Sequence, residues 1–177
     1  MIKLSIADIL WNIMIDNRNT PHSFTQFLDS SERPSDLKVY LNRSDFIPKP
    51  QNKILLKGEI NWCYNLLNEA SLSACIYDDQ TDKILLSLTI DKTIKNAYIT
   101  YLSEFCDEDY AISGPLGEIL FRTRILLNHG IVIHSAAIEW EGRGIMFSAP
   151  SGTGKSTQAN LWRKHMNAKV LNGDRPA

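Results

Sequence analysis

The sequence has no long hydrophobic run, no excess of charge of one sign and no cysteine pattern, and each absence removes a class of protein. No apolar stretch approaches the roughly 20 residues that a membrane-spanning helix needs, so no membrane partner is expected. The opening MIKLSIADILWNIMIDN is broken by Asp8, Asn12 and Asp16 and makes a poor secretory leader. Lys and Arg number 19 against 20 Asp and Glu, a net charge of -1. That balance leaves no electrostatic footprint for nucleic acid or an anionic lipid surface. Cysteines are few: Cys63, Cys75 and Cys106, an odd number without a CxxC pair. They suggest neither a disulfide framework nor a zinc site, and a reduced, cytoplasmic protein is the default. Repeats and low-complexity tracts are missing too.

What the chain does have is enough apolar material for a core. Of its 177 residues 44% are hydrophobic, which suits one ordinary domain or two small ones. The first half reads as β-rich. Ile2, Leu4 and Ile6 alternate at period two, and KILLKGEI (53–60), SLSACIY (71–77), KILLSLTID (83–91) and AYITYL (97–102) are further strand candidates. DDQTD (78–82) has the polar composition of a hairpin turn between two of them. Pro21, Pro34, Pro48 and Pro50 suggest that residues 17–52 are long loops with short elements. The acidic cluster Glu104, Asp107, Glu108 and Asp109 reads as a solvated loop rather than a metal site.

The texture changes near Pro115. GEILFRTRILLNHG (117–130) reads as a helix ended by Gly130. Two strands, IVIHSAAIEW and RGIMFSAP, follow around Glu141-Gly142, then a helix over 155–165 and a last strand, AKVL (168–171). The expected organisation is α/β (α+β): a β-rich region over 1–112, then a partial second domain over 113–177 built as a strand–loop–helix–strand unit.

The chemistry concentrates in APSGTGKST, Ala149 to Thr157. A phosphate loop carries Gly, four residues, then Gly-Lys-Ser/Thr; here Ala149 stands at the first glycine. Gly152 and Gly154 let backbone amides approach a phosphate closely. The helix that starts there favours anions. Ser151, Gly152, Thr153, Gly154, Lys155, Ser156 and Thr157 are therefore the candidate nucleotide contacts. Lys155 reaches terminal phosphates as a point charge, and Ser156 offers a hydroxyl to magnesium. The bland alternative is a glycine turn capping a helix. If Glu141-Gly142 is the tip of a tight hairpin, His134 lies opposite Ala149, at the loop's mouth. An imidazole there can bind a metal, hold a carboxylate or contact phosphate; it is equally a half-buried strand histidine. AKVL should run parallel to GIMFSA, which puts Asp174 at the phosphate edge of the sheet. Asp174 can hold magnesium through water or take a proton from an attacking hydroxyl, or be a turn residue of NGDRP. Arg175 can pair with phosphate or carboxylate, and Trp140 and Trp162 read as packing residues.

Residues 130–176 resemble the kinase domain of the HPr kinase/phosphorylase family and, more distantly, the core of ATP-dependent phosphoenolpyruvate carboxykinase. The shared features, in order, are a histidine-bearing strand, a hairpin, the Gly-x-Gly-Lys-Ser loop and an aspartate-bearing strand end. The resemblance implies ATP and Mg2+ as cofactors, with phosphoryl transfer to a protein or peptide hydroxyl. It implies active-site roles for His134, Lys155 and Asp174, and magnesium at Ser156 and Asp174. It departs from the families at Gly173-Asp174-Arg175, where they carry two adjacent aspartates or Gly-Asp-Asp. One carboxylate cannot serve as metal ligand and general base together. A nucleotide-binding module without catalysis is therefore the alternative, as is a truncated inactive fragment, since only three residues follow Asp174. A carboxykinase-like small-molecule enzyme is a third reading, without an obvious oxaloacetate-binding arginine pattern. The acceptor, and whether the chain forms a homo-oligomer, stay open.

Overall fold

The structure, a computed structural model, describes residues 1–15, 22–49, 54–56, 62–68, 71–78 and 80–172. It is a mixed α and β protein, strand-rich in its first part, with few helices. The chain folds as two units, Met1–Arg124 and Ile125–Ala177.

The first unit is built on eight strands. They are β1 (Ile2–Ile6), β2 (Ile9–Met14), β3 (Leu37–Ser44), β4 (Ile54–Leu56), β5 (Trp62–Asn68), β6 (Ser71–Tyr77), β7 (Ile84–Asp91) and β8 (Asn96–Leu102). They form one sheet in the order β1-β2-β3-β8-β7-β6-β5-β4. β3 pairs parallel with both β2 and β8, and the other neighbours are antiparallel. Period-two patterning puts one face in the core: Leu86, Leu88 and Ile90 of β7 are buried while Ser87 and Thr89 are half-buried on the other face. In register, Leu41, Ile99 and Leu88 form a buried row across β3, β8 and β7. Helices α1 (Glu108–Ser113) and α2 (Pro115–Leu126) follow the sheet. Phe121 of α2 meets Trp11 of β2, ring centroids 6.2 Å apart.

Four strand expectations hold closely: β1, β6, β7 and β8 lie where alternation put them, and the DDQTD stretch falls in the β6–β7 connection. KILLKGEI is described only at Ile54–Leu56. Residues 17–52 depart from the loop expectation. They carry a short 3-10 helix, His22–Phe27, and the eight-residue β3 in the sheet interior. Pro34 lies before β3 and Pro48 after it, so neither removes a ladder donor, and Leu37, Val39 and Leu41 supply the buried alternation. β2 and β5 lie in stretches that the alternation argument passed over. The acidic cluster is not a loop throughout. Asp107 caps α1 by accepting from the Tyr110 amide, and Glu108 and Asp109 occupy the first turn, where negative charge favours the helix.

The thiols also need correcting. Cys75 is disulfide-bonded, against the expectation of a reduced protein without a disulfide framework, and the residue opposite it on β5 is Cys63. Cross-strand proximity of this kind is invisible in a spacing that matches no framework motif. Cys106 is a free thiol, and burial, with help from Asp107 and Glu108, pushes it up to about 11.

The turn after β7 is held by Asp91, whose carboxylate accepts from Thr93, the Lys95 amide and Asn96. Burial raises its pKa, but these hydrogen bonds outweigh that and hold it below the ordinary carboxylate value. A depressed folded-state pKa stabilises fully above the unfolded value, and the stabilisation is lost as pH falls through the folded one. Asp91→Asn therefore flattens the acid limb of the stability curve of the first unit, read by thermal melts from neutral to strongly acidic pH.

The second unit comprises β9 (Ser135–Trp140), β10 (Arg143–Ser148), α3 (Lys155–Met166) and β11 (Lys169–Asn172). The sheet order is β10-β9-β11, with both pairs antiparallel. β11 thus runs in the same direction as β10, as expected, but β9 lies between them. α3 lies over this sheet: Ala136, Ile138, Ala159 and Ala168 are its buried centre, with Ile145, Phe147 and Val170 around it. Trp140 and Trp162 meet edge to face at 5.3 Å, the packing role expected of them.

The β9–β10 hairpin turns at Glu141 and Gly142, with φ of 50° and 73°. Two successive positive φ values are the signature of the two-residue turn whose twist suits antiparallel strands. Gly142→Ala forces an L side chain into that region and is expected to lower the stability of this unit by about 1 kcal/mol, measured by urea unfolding.

The α2 helix stops at Leu126, earlier than Gly130. The left-handed residue is His129 (φ 58°), and the Gly130 amide reaches back to the Ile125 carbonyl at 3.0 Å. A Cβ on Gly130 would lie 2.6 Å from Ile125 Cγ1. Glycine is needed there for close approach, while the histidine takes the positive φ.

Candidate functional site

The residues from Ala149 to Gly154 link the end of β10 to the start of α3. The sequence cannot continue as strand here, because Pro150 lacks an amide and two glycines follow. Gly152 and Gly154 adopt φ of 78° and 91°. A Cβ at Gly152 would meet nothing within 4 Å, so this glycine serves backbone shape rather than internal space. Gly154 is the N-cap of α3 and has no side chain to cap it. The first bond of the helix runs from the Gln158 amide to the Gly154 carbonyl, 2.9 Å. Earlier amides of a helix find no carbonyl within it and face outward, carrying the positive end of the dipole.

Lys155 turns back over the loop. Its Nζ donates to the Ala149 carbonyl at 2.9 Å and the Pro150 carbonyl at 3.2 Å. Thr153 Oγ1 donates to the same Pro150 carbonyl at 2.7 Å. The loop is therefore closed on itself by its own lysine and threonine. These two carbonyls were not foreseen as partners, and no residue type could announce them, since they belong to the backbone.

Ser151, Gly152, Gly154, Lys155, Ser156 and Thr157 line an open concavity of about 380 Å³, and His134 lines it with them. The hairpin register explains the histidine. The ladder pairs Arg143 with Trp140 and ends with Ser148 opposite Ser135, so His134 and Ala149 lie one residue beyond the ends of their strands, and the expected strand over 131–140 begins only at Ser135. The counting argument from Glu141-Gly142 gives the observed register, and His134 does stand at the loop's mouth. Thr153, counted among the nucleotide contacts from sequence, braces the loop through Pro150 instead of lining the hollow. Asp174 and Arg175 lie outside the described residues. One residue escaped notice in the sequence: Ser135, beside His134, is fully buried and its hydroxyl finds no hydrogen-bond partner among the described residues. A serine in an apolar strand gives no signal of that.

The donor set is one ammonium, several hydroxyls, an imidazole and the amides at a helix start. Among the described residues no carboxylate lines the hollow, and no group of three or more His, Cys, Asp or Glu is placed to hold a metal by side chains alone. Such a set suits an anion. No protein-family model, curated protein or solved structure matches the chain. No helix among the described residues is long and apolar enough to cross a membrane.

Proposed function

We propose that the chain binds ATP with magnesium at the Ala149–Thr157 loop and is an HPr kinase-like phosphotransferase acting on a hydroxyl of a protein or peptide. The observation that carries this reading is the loop itself. Two left-handed glycines, a lysine folded onto the loop's carbonyls and a histidine share one hollow at the start of a helix. A plain glycine turn capping a helix calls for neither the lysine's position nor the histidine's.

The residues present suit the nucleotide. Glycine backbone and helix amides would receive phosphate oxygens, and the Lys155 ammonium would exchange its two carbonyl partners for the terminal phosphates. Ser156 would offer its hydroxyl to magnesium, and the resemblance gives Asp174 the part of a carboxylate ligand. Bound magnesium–ATP supplies the transferable phosphoryl group and neutralises its charge. The protein's own part is positioning and charge stabilisation. His134, at the mouth, would orient the incoming hydroxyl or pair with a carboxylate. Asp174 would take the hydroxyl's proton if it does not hold the metal. A cytoplasmic location goes with this reading, because ATP is made there, whereas the bonded Cys75 suits an oxidising compartment.

One sequence feature favours a second reading, a nucleotide-binding module without transfer: Gly173-Asp174-Arg175 carries a single carboxylate. Incubation with γ-labelled ATP and candidate acceptor peptides, beside a direct binding measurement, separates the two. Binding with label transfer supports the kinase. Binding without transfer supports the module, and no binding ends both.

A further inference from the structure

The Pro150 carbonyl accepts from three donors of its own loop. Lys155 Nζ reaches it at 3.2 Å, Thr153 Oγ1 at 2.7 Å and the Thr153 amide at 3.4 Å. A carbonyl oxygen has two lone pairs to share among them. The amide lies beyond the roughly 2.7–3.2 Å of an ordinary N–H···O bond, so the ammonium and the hydroxyl are the effective partners. Together they close the turn Pro150-Ser151-Gly152-Thr153. Its third residue, Gly152, has the positive φ, 78°, that a type II turn requires there. Ser151 and Gly152, the middle of this turn, line the hollow, and Thr153 does not. Thr153 thus stands outside the hollow and is bonded to the turn that shapes it.

We propose that Thr153 is a positioning residue: its hydroxyl keeps the Ser151–Gly152 turn closed once Lys155 has left the Pro150 carbonyl for phosphate. The role rests on the nucleotide reading above and deepens it. In the empty loop two donors hold the turn, and either one suffices. In the filled loop the ammonium is on phosphate, and the hydroxyl holds the turn alone. Removing the hydroxyl therefore costs the filled loop more than the empty one. A cost that falls on one side of a binding equilibrium is a loss of affinity. A threonine that braced its own turn and nothing more would cost both forms alike and leave affinity where it was.

The test uses the full chain and two probes, magnesium–ATP and magnesium–tripolyphosphate, titrated by calorimetry. Thr153→Val keeps the side chain's shape and removes the hydroxyl. It should weaken both probes by about three- to tenfold, the range of one hydrogen bond, because the turn serves the phosphate chain and not the base. Thr153→Ser keeps the hydroxyl and should stay within about twofold of wild type. Backbone nitrogen-15 relaxation of the ligand-free protein is a second readout that needs no nucleotide. Ser151 and Gly152 should stay rigid, with order parameters of about 0.85, in Thr153→Val and in Lys155→Ala, and fall below about 0.6 when both substitutions are combined. Unaltered affinity in Thr153→Val, a loss seen with ATP alone, a serine variant as weak as the valine one, or a double variant as rigid as wild type overturns the positioning role and leaves the nucleotide reading standing. Failure of the wild-type chain to bind either probe removes the nucleotide reading and this role together.

Discussion

Replacing Lys155 by alanine is expected to weaken magnesium–ATP binding by roughly 10- to 100-fold, with the melting point of the protein almost unchanged. Hydrogen bonds to charged groups contribute about 1.5–3 kcal/mol, and the ammonium is the one cation lining the hollow among the described residues. Its present partners are the carbonyls of Ala149 and Pro150, in an exposed loop. Water replaces it there readily, which is why stability should hold to within about 0.5 kcal/mol. Lys155→Arg should not restore full binding, since a planar fork does not fit two carbonyls and a phosphate as a compact point charge does. Isothermal titration calorimetry beside a thermal melt checks both halves. Unaltered affinity in Lys155→Ala would remove the nucleotide reading, and a collapse of the melting point would make the lysine structural.

The second large effect is expected at Ile138. It lies at the centre of β9, fully buried beneath Ala159 of α3 and paired in register with Ile145 on one side and Val170 on the other. Truncation to alanine removes buried methyl groups and leaves a cavity, about 2–5 kcal/mol in cores of this kind. A unit of some 50 residues has little stability to lose. Ile138→Ala should therefore unfold the second unit at ambient temperature and abolish nucleotide binding with it. Ile138→Val, at about 0.5–1.5 kcal/mol, should leave both measurable. Urea unfolding followed by the fluorescence of Trp140 and Trp162, which sit beside this residue, reports the change. Wild-type stability in the alanine variant would mean that the β9–α3 packing is not what holds the loop.

The difference between what could and could not be read ahead follows the range of each interaction. β7 was legible because Leu86, Leu88 and Ile90 alternate with polar residues, and the strand needs no partner to show that period. The hairpin at Glu141-Gly142 was legible because a two-residue turn sets its own register, and so the ladder could be counted out to Ser135 and Ser148, the neighbours of His134 and Ala149. β3 was obscured by nearby prolines that in the fold stand outside it. α1 was obscured by its acidic residues, which cap and charge its first turn but look like solvated loop when the cap is not recognised. The disulfide at Cys75 was hidden because only strand pairing brings another cysteine opposite it.

By itself the sequence determined which segments alternate, where glycine and proline break them, and that a lysine and two hydroxyls follow a glycine loop at a helix start. Those are properties of neighbouring residues, fixed by backbone sterics and local periodicity. Tertiary structure alone decided that β3 lies between β2 and β8, that β9 separates β10 from β11, and that Lys155 folds onto the carbonyls of Ala149 and Pro150. These depend on which surfaces find each other once buried, and hydrophobic burial favours contact without naming the partner.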